Sequence, residues 1–247
     1  MSTDINILAV NVTARSNLNK THALLAVQTV VIILGSINRL GALTLGYVTP
    51  NEFLRWVDFH NVLTLPLISL TAFYLLKKQI EGKAQGGSRH LLLNLAFILG
   101  VYLLGASYGT HEVTNYLHAR FCPNDESSAL CNIVIFNDDE FSHWVFFTGF
   151  VLINAALMLL QVLFPHSRPL AARDVALLAL NGLFIGAGIF ANLAFEVIGL
   201  DLYIVSLLAA LALWLLWRRG PQPMVVYYSV AYTLGLIATA IYKIANS

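Results

Sequence analysis

Charge is what this chain most lacks. Asp, Glu, Lys and Arg make up 11% of its 247 residues, against roughly 25% in ordinary water-soluble domains. A surface so poor in charge would not keep a folded domain dispersed in water. Glycine-rich phosphate loops, a Walker-type lysine motif and a basic stripe interleaved with aromatics are also missing. With a net charge of +1 the chain offers nucleic acid no electrostatic footprint. The first 20 residues are mixed and polar, without the short apolar core and small-residue cleavage site of a secretory signal. The expectation is that the first apolar helix directs insertion. The alternating polarity of a membrane barrel is absent, and so are internal repeats and low-complexity runs.

What is present is apolar and comes in long runs. Hydrophobic residues make up 58% of the chain, and seven runs approach or exceed the ~20 residues that cross a bilayer core. They predict helices from about Thr21 to Leu45, Leu54 to Leu76, Leu91 to His118 and Glu140 to Phe164. Three more follow from about Asp174 to Glu196, Leu202 to Trp217 and Met224 to Ile244. Arg218-Arg219-Gly220-Pro221 punctuates the last hairpin. The expected fold is an all-α integral membrane protein, a seven-transmembrane helical bundle forming one domain over residues 1–247. A multi-pass protein of a plasma or inner membrane follows.

Lysine and arginine in the short loops set the expected orientation. Arg15, Lys20, Lys77, Lys78, Lys83, Arg89, Arg168, Arg173, Arg218 and Arg219 fall on one side, and Arg39, Arg55, Arg120 and Lys243 on the other. The richer side is expected to be cytoplasmic, which puts the amino terminus inside and the carboxyl terminus outside. Cys122 and Cys131 then share an outer loop over residues 119–139, where an oxidising compartment favours a disulfide between them.

Acids divide as unevenly. Asp4, Glu81 and Asp174 lie on the inner side, and the other ten of the thirteen on the outer side. His60, His111, His118 and His143 join those ten. In the third helix Tyr108, His111, Asn115 and His118 recur at spacings of three and four, and so share a face. The fourth opens with Asp138-Asp139-Glu140-Phe141-Ser142-His143, in which Glu140-x-x-His143 has the spacing of helical di-iron proteins. The second opens with Asp58-Phe59-His60, the fifth ends with Asn192 and Glu196, and the sixth begins at Asp201. All these groups come to one depth at the outer interface.

Singly, such residues are often interfacial, and an acid at a helix start favours the dipole without binding anything. Together, four imidazoles with nearby carboxylates suit a transition metal, zinc or iron. His111 and Glu112 strengthen the case, because ionisable groups inside an apolar helix are costly. The ligand set expected is His60, His111, His118, His143 and Glu196, with Glu112 or Glu140 as general base and Asn115 holding substrate or water. The function expected is a metal-dependent membrane enzyme at the outer interface, hydrolysing a lipid-like or amphipathic substrate. A di-iron oxidase or oxygenase would use the same residues. The non-enzymatic alternatives are a transporter, a receptor and a subunit of a larger complex. In plan the chain resembles the seven-helix membrane hydrolases related to ceramidases and adiponectin receptors. It departs from them in its seventh helix, which carries no histidine.

Elsewhere, Gln28, Ser36 and Asn38 are expected to hydrogen-bond between helices. Gly188 and Gly199 are expected to permit close packing.

Overall fold

The computed structural model describes residues 2–82, 86–125, 127–195 and 199–246, leaving aside the side chains of residues 2–16, 39, 40 and 195. Seven long helices account for most of it. They are α1 (Ser2–Leu40), α2 (Trp56–Glu81), α3 (Ser88–Phe121), α4 (Ala129–Leu163), α5 (Ala172–Phe195), α6 (Leu200–Arg219) and α7 (Pro223–Ala245). Each is long and apolar enough to cross a membrane, α1 over Asn17–Asn38. The expected seven-helix fold is thus present.

The largest departure from expectation is the start of α4. Its first turns, Ala129–Ile135, fall where a loop over 119–139 was expected. Loop structure is confined to the few residues between Phe121 and Ala129. The Cys122–Cys131 disulfide joins the end of α3 to the first turn of α4, with Cα atoms 5.6 Å apart. At about 1.5 Å per residue the 34 residues of α3 reach ~51 Å. That length exceeds a hydrocarbon core of about 30 Å, so a polar end can stand at the interface.

By contacts the chain divides into two compact units. One comprises Met1–Thr29, Ala72–Leu93 and Asn154–Ser247. Its centre is the pairing of α5 with α7, which glycine makes close. A Cβ on Gly182 would meet the Tyr227 carbonyl oxygen at 2.8 Å, and one on Gly186 the Ala231 carbonyl oxygen at 2.9 Å. Across from them Gly235 makes room for Ile189. Small residues at such spacing let helix backbones approach, which is how membrane helices gain packing energy. A Cβ on Gly199, by contrast, would meet only Asp201 Oδ1, at 4.0 Å. Gly220 turns the chain from α6 into α7 at φ +75, a value that suits glycine.

Polar staples complete this unit. Thr29 Oγ1 donates to Asn181 Oδ1 at 2.9 Å, and His22 Nε2 meets Asp174 Oδ1 at 3.1 Å. Buried Glu81 is held by Lys77 Nζ and His90 Nε2, each 2.7 Å from Oε1. Asp201 accepts from Asn192 Nδ2 at 2.8 Å and from the Gly199 and Leu202 amides at 2.9 Å, tying α5 to the start of α6.

The other unit comprises Val30–Thr71 and Asn94–Ile153. Here α3 and α4 touch backbone to backbone, since a Cβ on Gly149 would lie 2.8 Å from the Leu104 amide nitrogen and 2.9 Å from the Gly100 carbonyl oxygen. The α1–α2 connection folds back on itself through a bridge between Tyr47 and Arg55. The Glu52 carbonyl in that turn accepts from Tyr116 Oη at 3.0 Å and from Arg120 Nη1 at 2.5 Å.

Glycine substitutions separate tight from open positions. Gly182→Leu is expected to lower the thermal unfolding midpoint in detergent by an amount corresponding to about 1–3 kcal/mol of overpacking. Gly109→Ala, at a helix position where an added Cβ meets nothing within 4 Å, is expected to raise it, by about 0.5–1 kcal/mol.

Candidate metal centre

Within the second unit, two of the long helices are locally unwound. Residues His60–Thr64 of α2 and Phe136–Phe141 of α4 form π-helical turns. Such turns insert a residue into the helix and recur at functional sites. The turn in α4 carries Asp138-Asp139-Glu140, and it buries the first of the three while leaving the other two exposed. The turn is pinned to α3 through Ser142, whose Oγ donates to the Asp138 carbonyl at 2.5 Å and whose own carbonyl accepts from Ser107 Oγ at 2.8 Å.

Asp138 is the centre of the site, with 1% of its surface exposed. Its carboxylate faces four side chains of α3. Thr114 Oγ1 donates to Oδ1 at 3.4 Å, and Asn115 Nδ2 donates to Oδ2 at 3.4 Å. His118 Nδ1 lies 3.2 Å from Oδ2, and His111 Nδ1 lies 4.0 Å from Oδ1. Among the described residues no lysine or arginine reaches it. Ligand atoms of His118, Asp138 and Asp139 fall within 4.8 Å of one another, so this group can hold a metal ion. The chemistry of the set, one imidazole and two carboxylates, suits zinc, iron or manganese more than a soft-ligand metal.

Glu112, on the next strip of α3, is buried as well. Asn61 Nδ2, in the π turn of α2, donates to Glu112 Oε2 at 3.0 Å. Asn38 Nδ2 in turn donates to Asn61 Oδ1 at 2.8 Å and to the Val57 carbonyl at 3.1 Å. A chain of buried amides from α1 and α2 thereby fixes the carboxylate on α3. Its other oxygen, Oε1, lies 3.6 Å from His111 Nδ1. The His111 ring is stacked on that of His143, with centroids 5.2 Å apart.

Asp58 shows the contrast. Arg55 holds it through two 2.8 Å hydrogen bonds, and those bonds raise the arginine pKa above its ordinary value. The Arg55 guanidinium also covers the Tyr116 ring at 4.8 Å. Asp58 is therefore already balanced by an organic cation.

Of the residues singled out from the sequence, His111, Glu112, Asn115 and His118 gather around Asp138 or beside it. His143 enters through its stack on His111. His60 meets Thr64 Oγ1 at 3.1 Å on its own helix and stacks on Trp56, with centroids 5.7 Å apart. Glu140 is exposed and, among the described residues, forms no hydrogen bond or ion pair with the group. Glu196 lies outside the described residues. The sequence reading did not single out Asp138 or Asp139 as ligands, nor Asn61 as a link. Asn61 had a signal, an amide next to His60 and three residues from Asp58 at the start of an apolar helix. For Asp138 the only signal was a row of three acids, which does not say which one is buried.

The amide chain can be tested on its own. Asn61→Leu removes the donor to Glu112 and the acceptor for Asn38 at nearly constant volume. Its expected cost is about 1–3 kcal/mol of stability for the stranded groups, read as a lowered unfolding midpoint in detergent. Thr64→Val, which removes the hydroxyl that meets His60 and leaves the amide chain intact, is expected to change the midpoint little.

Compared with protein-family models, curated proteins and solved structures, the chain matches none. The architectural resemblance to the ceramidase-related hydrolases gains no support there, and the functional reading rests on the geometry.

Proposed function

We propose that this protein is a metal-dependent membrane enzyme that hydrolyses a lipid-like substrate where the bilayer meets water. The observation that carries the reading is Asp138, a carboxylate 1% exposed and faced by two imidazoles instead of by lysine or arginine. An ionised carboxylate removed from water costs several kcal/mol unless a cation meets it. A divalent ion bound by His118, Asp138 and Asp139 is that cation. When bound there, it would polarise a substrate oxygen and lower the pKa of a water.

The chain's own residues have separable parts in this reading. Thr114 and Asn115 orient the Asp138 carboxylate by donating to its two oxygens, as groups behind metal ligands do. Glu140, exposed in the same π turn, serves as general base. His60 is left out of the ligand set in this reading, because the group that can hold a metal is His118, Asp138 and Asp139.

The lipid-like substrate is supported by what surrounds the π turn. Phe136 and Trp144 pack edge to face at 5.8 Å, yet remain 44% and 48% exposed. Tryptophan side chains such as Trp144 are enriched at the headgroup level of membranes. Phe136 and Trp144 would hold an amphipathic molecule beside the exposed Asp139 and Glu140 of the same turn. The disulfide and the distribution of lysine and arginine support placing this end on the extracytoplasmic side, in a plasma or inner membrane.

Elemental analysis of the purified protein, beside hydrolysis assays on acyl-ester and phosphodiester lipids in vesicles, tests the proposal. The expected outcome is a bound transition metal, zinc or iron, with hydrolysis of one lipid class. His118→Ala and Asp138→Asn should lower both metal content and rate by about 10–100-fold or more, and His60→Ala should leave both unchanged. A metal-free parent protein, or His118→Ala and Asp138→Asn variants with full metal content, would overturn it.

A further inference from the structure

The unit built from Met1–Thr29, Ala72–Leu93 and Asn154–Ser247 contains a cavity of about 180 Å³. The crossing part of α1, the end of α2, the end of α4 and the start of α7 enclose it, together with the connection from α4 to α5. Its lining is polar but uncharged. Asn17, Thr21, Gln79, Gln161, His166 and Ser167 contribute to it, and among the described residues no Asp, Glu, Lys or Arg does. Two hydrogen bonds hold the wall. Gln161 Nε2 donates to the Phe164 carbonyl at 3.1 Å, and the His166 amide donates to Gln222 Oε1 at 2.7 Å. The side chains of Asn17, Gln79 and Ser167, in contrast, have no hydrogen-bond partner among the described residues. Their donors are open to a ligand.

Cations are placed next to these donors. Lys20 precedes Thr21 on α1, Lys78 precedes Gln79 on α2, and both are exposed. Arg168 follows Ser167. Burial lowers the His166 pKa; Asp174 raises it and Arg168 lowers it, so the net effect is a neutral imidazole at neutral pH. The acids of this end are already met. Asp174 has His22 Nε2 at 3.1 Å, and Glu81 has Lys77 Nζ and His90 Nε2 at 2.7 Å. Lys78 is 3.9 Å from Glu81 and 55% exposed, and Lys20 has no acid partner among the described residues. An apolar track adjoins the cavity. Leu75 lies one turn before Gln79 on the same face of α2 and is 45% exposed, with Tyr74 at 48% beside it.

We propose that this cavity binds the phosphate headgroup of an anionic phospholipid whose acyl chains lie along Leu75. The amides of Asn17 and Gln79 and the Ser167 hydroxyl donate to the phosphate oxygens, and hydrogen bonds to an ionised acceptor are the strong ones. Lys20, Lys78 and Arg168 supply the positive field that favours an anionic lipid over a zwitterionic one, as basic pockets between membrane helices do. The exposed flank of α2 distinguishes a lipid from a free anion, because only a lipid gains from Leu75 and Tyr74. The site shares no residue with the proposed metal centre and needs no metal.

Full-length protein in a neutral detergent is titrated separately with phosphatidylglycerol, phosphatidylcholine and inorganic phosphate, and the thermal unfolding midpoint is read. A ligand that binds only the folded state raises it. Phosphatidylglycerol is expected to raise the midpoint of the parent protein at concentrations where the other two do not. Gln79→Leu and Ser167→Ala each remove an open donor and break no hydrogen bond among the described residues. Both are expected to keep the lipid-free midpoint and to move the phosphatidylglycerol titration to about tenfold higher concentration. Lys20→Gln is expected to move it in the same direction. Arg218→Gln, a cation outside the lining, is expected to leave it in place. Equal rises with phosphatidylglycerol and phosphatidylcholine overturn the proposal. So does a titration that Gln79→Leu and Ser167→Ala leave unchanged, or one that Arg218→Gln moves as far as they do. A rise with inorganic phosphate matching that with the lipid overturns the assignment of a lipid.

Discussion

A carboxylate buried in a membrane protein is costly unless donors or positive charge meet it, and Asp138 is the one on which the polar side chains of the disulfide-bearing unit converge. Its neutral donors, Thr114 and Asn115, reach it at 3.4 Å. Neutral hydrogen bonds contribute about 0.5–1.5 kcal/mol each, well short of the several kcal/mol that burying an ion costs. Asp201 meets the same demand with three shorter neutral bonds, from Asn192 at 2.8 Å and from two backbone amides at 2.9 Å, and two other acids meet it with organic cations. Glu81 has Lys77 at 2.7 Å, and Asp58 has Arg55 twice at 2.8 Å. At Asp138 the chain supplies histidines instead, which bind metal ions as neutral ligands. That contrast with Glu81 and Asp58 is the physical basis on which we propose an ion at Asp138.

Local backbone structure delivers that carboxylate. A regular α-helix would carry Asp138, Asp139 and Glu140 round its surface in even steps. The π turn over Phe136–Phe141 buries one and leaves the next two at the surface. The Ser107–Ser142 link and the close approach at Gly100 and Gly149 hold α4 against α3, where His111 and His118 wait one above the other. On the opposite side, the π turn over His60–Thr64 sets Asn61 toward Glu112. Phe136 and Trp144 flank the same turn and remain exposed.

The seven helices were legible in the sequence because a bilayer imposes a minimum apolar length, and few other constraints produce seven such runs. The start of α4 was not. Three consecutive acids look like the beginning of a helix, since acids favour that end of the dipole. In the fold they sit inside α4, which has 35 residues in all and so has length to spare beyond the hydrocarbon. The helical spacing of His111, Asn115 and His118 correctly gave a shared environment, whereas Tyr108 on the same strip packs against Phe146 instead, with ring centroids 5.9 Å apart. His60 looked equivalent to the other histidines. The π turn, which no 3.6-residue periodicity reveals, gives it Thr64 and leaves its neighbour Asn61 to reach the site. Gly199 was expected to permit close packing and does not, for a related reason. Sequence shows where glycine occurs, but only the partner helix decides that Gly182 and Gly186 face a backbone.

The most direct measurement of the central claim is X-ray absorption at the metal edge of the purified protein. If Asp138 and His118 hold an ion, the first shell consists of oxygen and nitrogen scatterers at about 2.0–2.2 Å with the outer-shell pattern of imidazole. Replacing Asp138 by asparagine should then abolish that signal. A sulfur-dominated shell, or an edge spectrum of a fully hydrated ion that the Asp138 change leaves untouched, would contradict the account.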